Sequence, residues 1–233
     1  MRGRRLFSAL FLAAIVLAAQ TATEVEITSE PHHHLALENA YVRVFKVEVA
    51  PHETTLMHRH RHDYFFVTLG ATEVENDVEG KAPVTLTLHD AETRFTPGNS
   101  AHIAKNLTDM PFRNVTIELL QDEKACQSPA KWGEERALHV LQGGTQDVQF
   151  VKDGVRVSEI DLQPGGVIPK HHHVGPHLVV AITDVDLRSD VEGKPATLHL
   201  LKAGDIAWVE GGVTHTITNV GKSQAKWVTL EFQ

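Results

Sequence analysis

The apolar positions of this chain fall in short alternating runs, the period-two signature of half-buried strands, and not at the three-to-four spacing of helices. Val42 and Val44 flank Arg43, and Val47 and Val49 follow Phe45. The second half repeats the pattern, with Val155 and Val157 followed by Ile160 and Leu162. In both places the apolar parity switches inside one run, which predicts a β-bulge near Phe45 and another near Ser158. Further strands are predicted over residues 65–69, 84–88, 115–119, 178–182, 197–201 and 227–232, punctuated by glycine and proline. Helical periodicity is confined to residues 131–141, inside a connecting segment that starts near Gln121. The chain reads as all-β.

A displacement of 113 positions, the distance from His58 to His171, lays the chain on itself. Val42-Arg43-Val44 falls on Val155-Arg156-Val157, Pro51 on Pro164, and His58 and His60 on His171 and His173. Residues 77–81 fall on 190–194, Gly98 on Gly211, His102 on His215 and Asn106 on Asn219. A repeat this long, carrying its own strands, implies two tandem copies of one fold. The organisation reads as a leader over 1–22, a first unit over 32–120, a linker with a short helix over 121–144 and a second unit over 145–233.

Composition narrows the function classes. With 233 residues and 42% hydrophobic content, two small cores are affordable. A net charge of −8 leaves no basic surface for nucleic acid or anionic lipid. Arg2, Arg4 and Arg5 precede an apolar run over 6–19 that ends in small residues, the pattern of an export signal cut between Ala18 and Ala22. The run is short for a membrane span, so the mature protein is expected in the periplasm or outside the cell, without stable membrane association. Cys126 is the single cysteine and has no partner for a disulfide within the chain.

Histidine carries the candidate chemistry, because the 16 histidines are clustered. On a strand, His171 and His173 share a face while His172 points away. His177 returns after the turn Val174-Gly175-Pro176, and His215 follows the glycine turn at Gly211-Gly212. Four neutral imidazoles about 2.0–2.2 Å from a divalent transition ion would hold it and, if it is five- or six-coordinate, leave positions for substrate. The first unit offers His58, His60 and His102. Its fourth position is Tyr64 by the internal repeat, or Asp63 by counting back from Gly70. It therefore reads as a three-histidine site, a three-histidine site with Asp63, or no metal site. His62 and His172 are expected at strand faces or rims, and His32-His33-His34 as an exposed lead-in.

These residues resemble the cupin signature. The second unit matches it with Gly165 or Gly166, His171-x-His173, a preceding Gly204, and Glu210-x-Gly212-x-x-His215-x-x-x-Asn219. The first matches with His58-x-His60 and Pro97-x-Asn99-x-x-His102-x-x-x-Asn106. In the second unit His177 stands where the family has glutamate, and Glu210 where it has proline. The resemblance implies two tandem jelly-roll (double-stranded β-helix) barrels, a bicupin, whose second barrel is similar to small four-histidine manganese-binding cupins. It implies manganese or iron, with nickel, copper or zinc as alternatives, a small-molecule ligand, and compatibility with a homo-oligomer. Four neutral ligands leave the full +2 charge on the ion, which favours an anionic or enolisable ligand bound to it. The leading expectation is an exported dioxygenase-type oxidoreductase acting on a small oxygen-bearing organic substrate. A lyase or isomerase, with Glu210 as candidate base, is the second expectation. A non-catalytic metal- or ligand-binding protein is the third. Val179, Ile182, Trp208 and Val228 are expected to line the pocket above the ion.

Overall fold

The alternating runs become strands in a computed structural model that describes residues 23–120 and 136–232. The leader, Cys126 and residues 131–135 of the predicted helix lie outside the described residues. The first half comprises β1 (Val25–Glu26), a 3-10 turn (Ile27–Ser29), β2 (His33–Glu38), β3 (Val42–Val49), β4 (His58–His60), β5 (Tyr64–Leu69), β6 (Thr72–Val78), β7 (Val84–Leu88), β8 (Thr93–Thr96), β9 (Ser100–Asn106) and β10 (Phe112–Leu119). They form two five-stranded sheets, β1-β4-β9-β6-β7 and β2-β3-β10-β5-β8. Facing each other, these make a jelly roll.

The second half repeats the layout with β11 (Ala137–Lys152), β12 (Val155–His173), β13 (His177–Ala181), β14 (Val185–Val191), β15 (Thr197–Leu201), β16 (Ile206–Val209), β17 (Val213–Asn219) and β18 (Ala225–Phe232). Here β12 does the work of both β3 and β4. Its first part pairs with β18 and its last with β17, which joins the two sheets into one of eight strands. No α-helix occurs among the described residues. Residues 137–141 of the predicted helix are instead the start of β11. Leu141 packs toward the second core while Leu138, His139 and Val140 stay exposed.

The parity switch has a different cause from the one expected. Both β3 and β12 are regular against β10 and β18. The bulges lie opposite the expected positions, beside Phe45 and Ser158 but on the paired strands, at Ala36 in β2 and Gln149 in β11, and these are 113 positions apart. The start of each strand is buried on both faces. Val42, Val44, Val155 and Val157 join a core shared between the barrels, whereas Phe45, Val47 and Val49 fill the first barrel and Ile160 and Leu162 the second. Arg43 and Arg156 therefore project into the barrels beside apolar neighbours. The shared core also holds Phe65, Val67, Leu178, Val180 and Leu230, all completely buried. Each such side chain contributes roughly 1.5–3 kcal/mol of burial. Lys46 Nζ reaches Asp205 at 2.8 Å across the same seam.

The motif asparagines secure turns. Asn219 Nδ2 donates to the Leu162 and Ser223 carbonyls while its Oδ1 accepts from Gly221 N–H, and Asn106 binds the Val49, Ala50 and Met110 carbonyls likewise. Gly98 and Gly211 allow a close crossing, since an added Cβ would stand 2.5 Å from the His62 carbonyl carbon and 2.5 Å from the Val174 carbonyl oxygen respectively. Asn99, with φ of 60°, takes the left-handed conformation that Gly212 takes in the second barrel, and asparagine tolerates it better than most residues.

Candidate metal centre

In the second barrel, His171 on β12 lies directly opposite His215 on β17, a cross-strand pair whose side chains share one face. His173 follows two positions on. His171 Nε2 stands 3.0 Å from His173 Nε2 and 3.2 Å from His215 Nε2. Two nitrogens each about 2.1 Å from one ion lie about 3.0 Å apart at right angles and about 3.4 Å apart at the tetrahedral angle. The observed spacing fits the edges of an octahedron.

The opposite edge of each ring is fixed. His171 Nδ1 donates to the Pro169 carbonyl at 2.8 Å, His173 Nδ1 to Glu231 Oε1 at 2.7 Å, and His215 Nδ1 bonds Ser189 Oγ at 2.9 Å. A carbonyl and a carboxylate only accept, so Nδ1 carries the proton in neutral His171 and His173, and Nε2 carries the lone pair. Two lone pairs face one another at 3.0 Å, an arrangement that a cation between them stabilises. Burial, joined by the neighbouring rings, depresses His215 to about 4 and lowers His171, so both favour the neutral, ligating form.

Glu231 and Arg156 were not foreseen. Arg156 Nε donates to Glu231 Oε2 at 2.6 Å, and Glu231 holds His173 in place. Burial alone would raise the Glu231 carboxyl, but the His173 hydrogen bond and the Arg156 charge hold it at about 2. The repeat carried the signal: Arg43 and Glu118 stand 113 positions before them, each a charged residue set among buried apolar ones.

His177 joins the cluster differently. Its ring stacks on His173 at 4.1 Å, and its Nδ1 is buried without a partner. Burial, then the neighbouring His173 ring, depresses it to about 3. His172 is exposed and bonds Thr214 Oγ1, as expected of a rim residue. Glu210 is exposed and accepts from Trp208 Nε1 at 3.0 Å, so it does not reach the histidines. A cavity of about 670 Å³ opens above them, walled by Val179, Leu187, Ile217 and Trp227, with Lys170 and Lys194 at its edge. Of the expected lining residues only Val179 faces it. Ile182, Trp208 and Val228 point into the seam between the barrels, because their parity on β13, β16 and β18 is that of the shared core.

The first barrel repeats the geometry with changes. His58 lies opposite His102 across β4 and β9, their ring centres 4.5 Å apart, and His60 follows at 5.2 Å from His58. Tyr64 takes the place of His177, stacking on His60 at 3.9 Å. Burial pushes its phenol up to about 12, so it stays protonated and is a poor donor. Asp63 Oδ1 accepts the Gly98 N–H at 2.6 Å and serves the turn. The missing neighbour is His33, expected as exposed lead-in but buried against His58 at 4.6 Å between ring centres. The donor nitrogens of His33, His58 and His60 lie within 4.8 Å of one another, as do those of His171, His173 and His215. Both sets thus have the composition and spacing to hold a transition ion.

Residues 158–231 match the cupin domain family. The fold of that matched domain is repeated in the first half, so the chain is built as two barrels of one kind. Among solved structures it is similar to the oxalate decarboxylase of Bacillus subtilis, at 12% identity over 86% of this chain and 75% of that one, with a TM-score of 0.60. It is also similar to AerE from Microcystis aeruginosa, at 14% identity over 88% of this chain and 98% of that one, TM-score 0.60. Comparison with the curated proteins finds no match. No helix among the described residues is long and apolar enough to cross a membrane.

Proposed function

We propose that the second barrel is the catalytic centre of an exported, metal-dependent oxidoreductase of dioxygenase type, acting on a small organic substrate that binds the ion through oxygen. The observation that carries this reading is the pair of Nε2 lone pairs of His171 and His173 turned on each other at 3.0 Å, with His215 Nε2 at 3.2 Å. His171, His173 and His215 would hold manganese(II) or iron(II), with His177 alongside. When bound, the ion supplies Lewis acidity and a route for electrons between an oxygen-bearing substrate and dioxygen.

The chain's own part is orientation. Glu231, backed by Arg156, sets His173; the Pro169 carbonyl sets His171; Ser189 sets His215. Lys194 at the edge favours an anionic or enolised oxygen, whereas Lys170 is paired with Glu192. The size of the cavity, about 670 Å³, suits a substrate with an apolar body and exceeds what a two-carbon acid requires.

The similar Bacillus subtilis structure has Mn(II) centres and belongs to a decarboxylase, which supports manganese and keeps a lyase as the second reading. A lyase working through a carboxylate base finds little here: Glu231 is the one carboxylate among the described residues lining the cavity, and it is committed to His173 and Arg156. The third reading is a protein that captures metal or a small ligand without turnover. Oxygen consumption by manganese- or iron-loaded protein, measured with a panel of phenols and diketones, tests the assignment. Uptake that vanishes in His215→Ala is the expected result, and no uptake with either metal moves the assignment to the lyase or the binding protein. Export rests on the basic and apolar pattern of residues 1–22. Amino-terminal sequencing of protein recovered outside the cytoplasm checks it.

A further inference from the structure

His33 lies outside both histidine motifs, yet it is buried in the first barrel. Its Nδ1 faces Glu30 Oε2 at 2.6 Å, so the neutral ring turns its Nε2 lone pair away from that carboxylate. Glu30 is itself fully enclosed and accepts from His32 N–H at 2.9 Å and from Leu56 N–H at 3.1 Å. His58 Nδ1 is bound to the Leu56 carbonyl at 2.8 Å and His102 Nδ1 to Asn76 Oδ1 at 2.7 Å. The other nitrogens of these two rings, His58 Nε2 and His102 Nε2, are buried and have no hydrogen-bond partner. A buried nitrogen without a partner is destabilising, and two in one cluster, beside His60, are hard to explain without a shared partner.

We infer that the first barrel binds a divalent transition ion through His33, His58, His60 and His102, with His33 supplying the donor that Tyr64 and Asp63 do not. Glu30, His33 and the ion form a carboxylate–histidine–metal relay of the kind that fixes ring orientation. The site differs in purpose from that of the second barrel. The equivalent of His33 there is Gln146, the equivalent of Glu30 is Gly143, and the equivalent of Ile27 is Val140. In the first barrel Ile27, Glu30 and His33 are all buried, so the strap over residues 25–33 closes the barrel end. In the second barrel Val140 is 85% exposed, so the equivalent segment is not packed down in the same way. The ion in the first barrel therefore serves structure, clamping the strap to β4 and β9.

The test is a count of cobalt(II) bound per chain after apoprotein, stripped with chelator, is loaded with cobalt alone and desalted. Two ions are expected for wild type, one for His215→Ala, one for His33→Gln and none for the double variant. Glutamine is chosen because Gln146 occupies the equivalent position. Cobalt should also slow hydrogen exchange of the amides in residues 25–33 at least tenfold in His215→Ala protein. Should His33→Gln not fold, Glu30→Gln serves instead and should weaken cobalt binding in the first barrel 10–100-fold. Two ions retained by His33→Gln, none bound by His215→Ala, or unchanged exchange in the strap would each overturn the inference. A single wild-type ion, lost in His33→Gln and kept in His215→Ala, would uphold it while removing the metal from the proposed catalytic centre.

Discussion

The two barrels share a fold, a seam and a histidine geometry, and differ in how each site meets its surroundings. In the first barrel His58 and His60 are almost wholly buried, the neighbouring cavity is about 280 Å³, and the strap closes the end. In the second, His171 and His173 are half-buried beneath a cavity of about 670 Å³. The buried glutamates differ as well. Glu231 has both oxygens engaged, by His173 and by Arg156. Glu118 stands 3.4 Å from His60 and 3.6 Å from Arg43, and neither of its oxygens makes a hydrogen bond. Burial raises the Glu118 carboxyl against a weak pull from Arg43, because Arg43 spends its best hydrogen bond on Glu38. Matched residues with different partners thus give two sites, the second under a cavity more than twice the size of the first.

The largest effect that could break this comparison is in metal affinity. Glu231→Gln should weaken binding in the second barrel 10–100-fold, and Glu118→Gln should change the first much less, both read by calorimetric titration. Equal losses would mean that the two carboxylates do the same work. Next in size is the strap. Ile27→Ala should cost about 2–5 kcal/mol in urea unfolding, because a buried isoleucine leaves a cavity. Val140→Ala, at the equivalent exposed position, should stay within about 0.5 kcal/mol. Gly98→Ala and Gly211→Ala should behave alike, each losing about 1–3 kcal/mol in the same assay, since both would press a methyl group into backbone at 2.5 Å.

The smallest effect is a shared pH response of the apoprotein. His58, His177 and His215 titrate in the folded state near 4, 3 and 4, below their ordinary 6.5, because burial disfavours the charged ring. The unfolded chain therefore binds more protons between those values. Stability should be full above pH 6.5 and fall toward pH 4 by about 1.4 kcal/mol per unit for each such histidine. Apoprotein unfolding free energies that stay flat between pH 7 and 4 would contradict the burial of these rings.

Most of the fold was legible because strand alternation and the 113-residue repeat are local and arithmetical. The repeat does not say which face of Val42 or Val155 meets a second barrel, nor which of two paired strands carries the bulge beside Phe45 and Ser158. The same blindness put Ile182, Trp208 and Val228 in the pocket when they belong to the seam. At the sites, motif spacing found the three converging histidines of the second barrel. It missed His33, whose nearness to His58 comes from the strap folding over the barrel end, a contact between segments with no fixed spacing. Glu231 and Arg156 were readable in hindsight, as charges preserved at matched positions inside apolar strands. Glu210 looked promising for its place in a motif, but its side chain ends on the indole of Trp208 at the rim.

One strand ties these threads together. β12 carries Val155 and Val157 on the face that meets the first barrel, Arg156 between them, and His171 and His173 at its far end. A gene fragment encoding the second barrel alone would bare a wall of valine and leucine to solvent. The two halves, for all their symmetry, are not modules to be shuffled: each keeps an apolar face of its twin out of water.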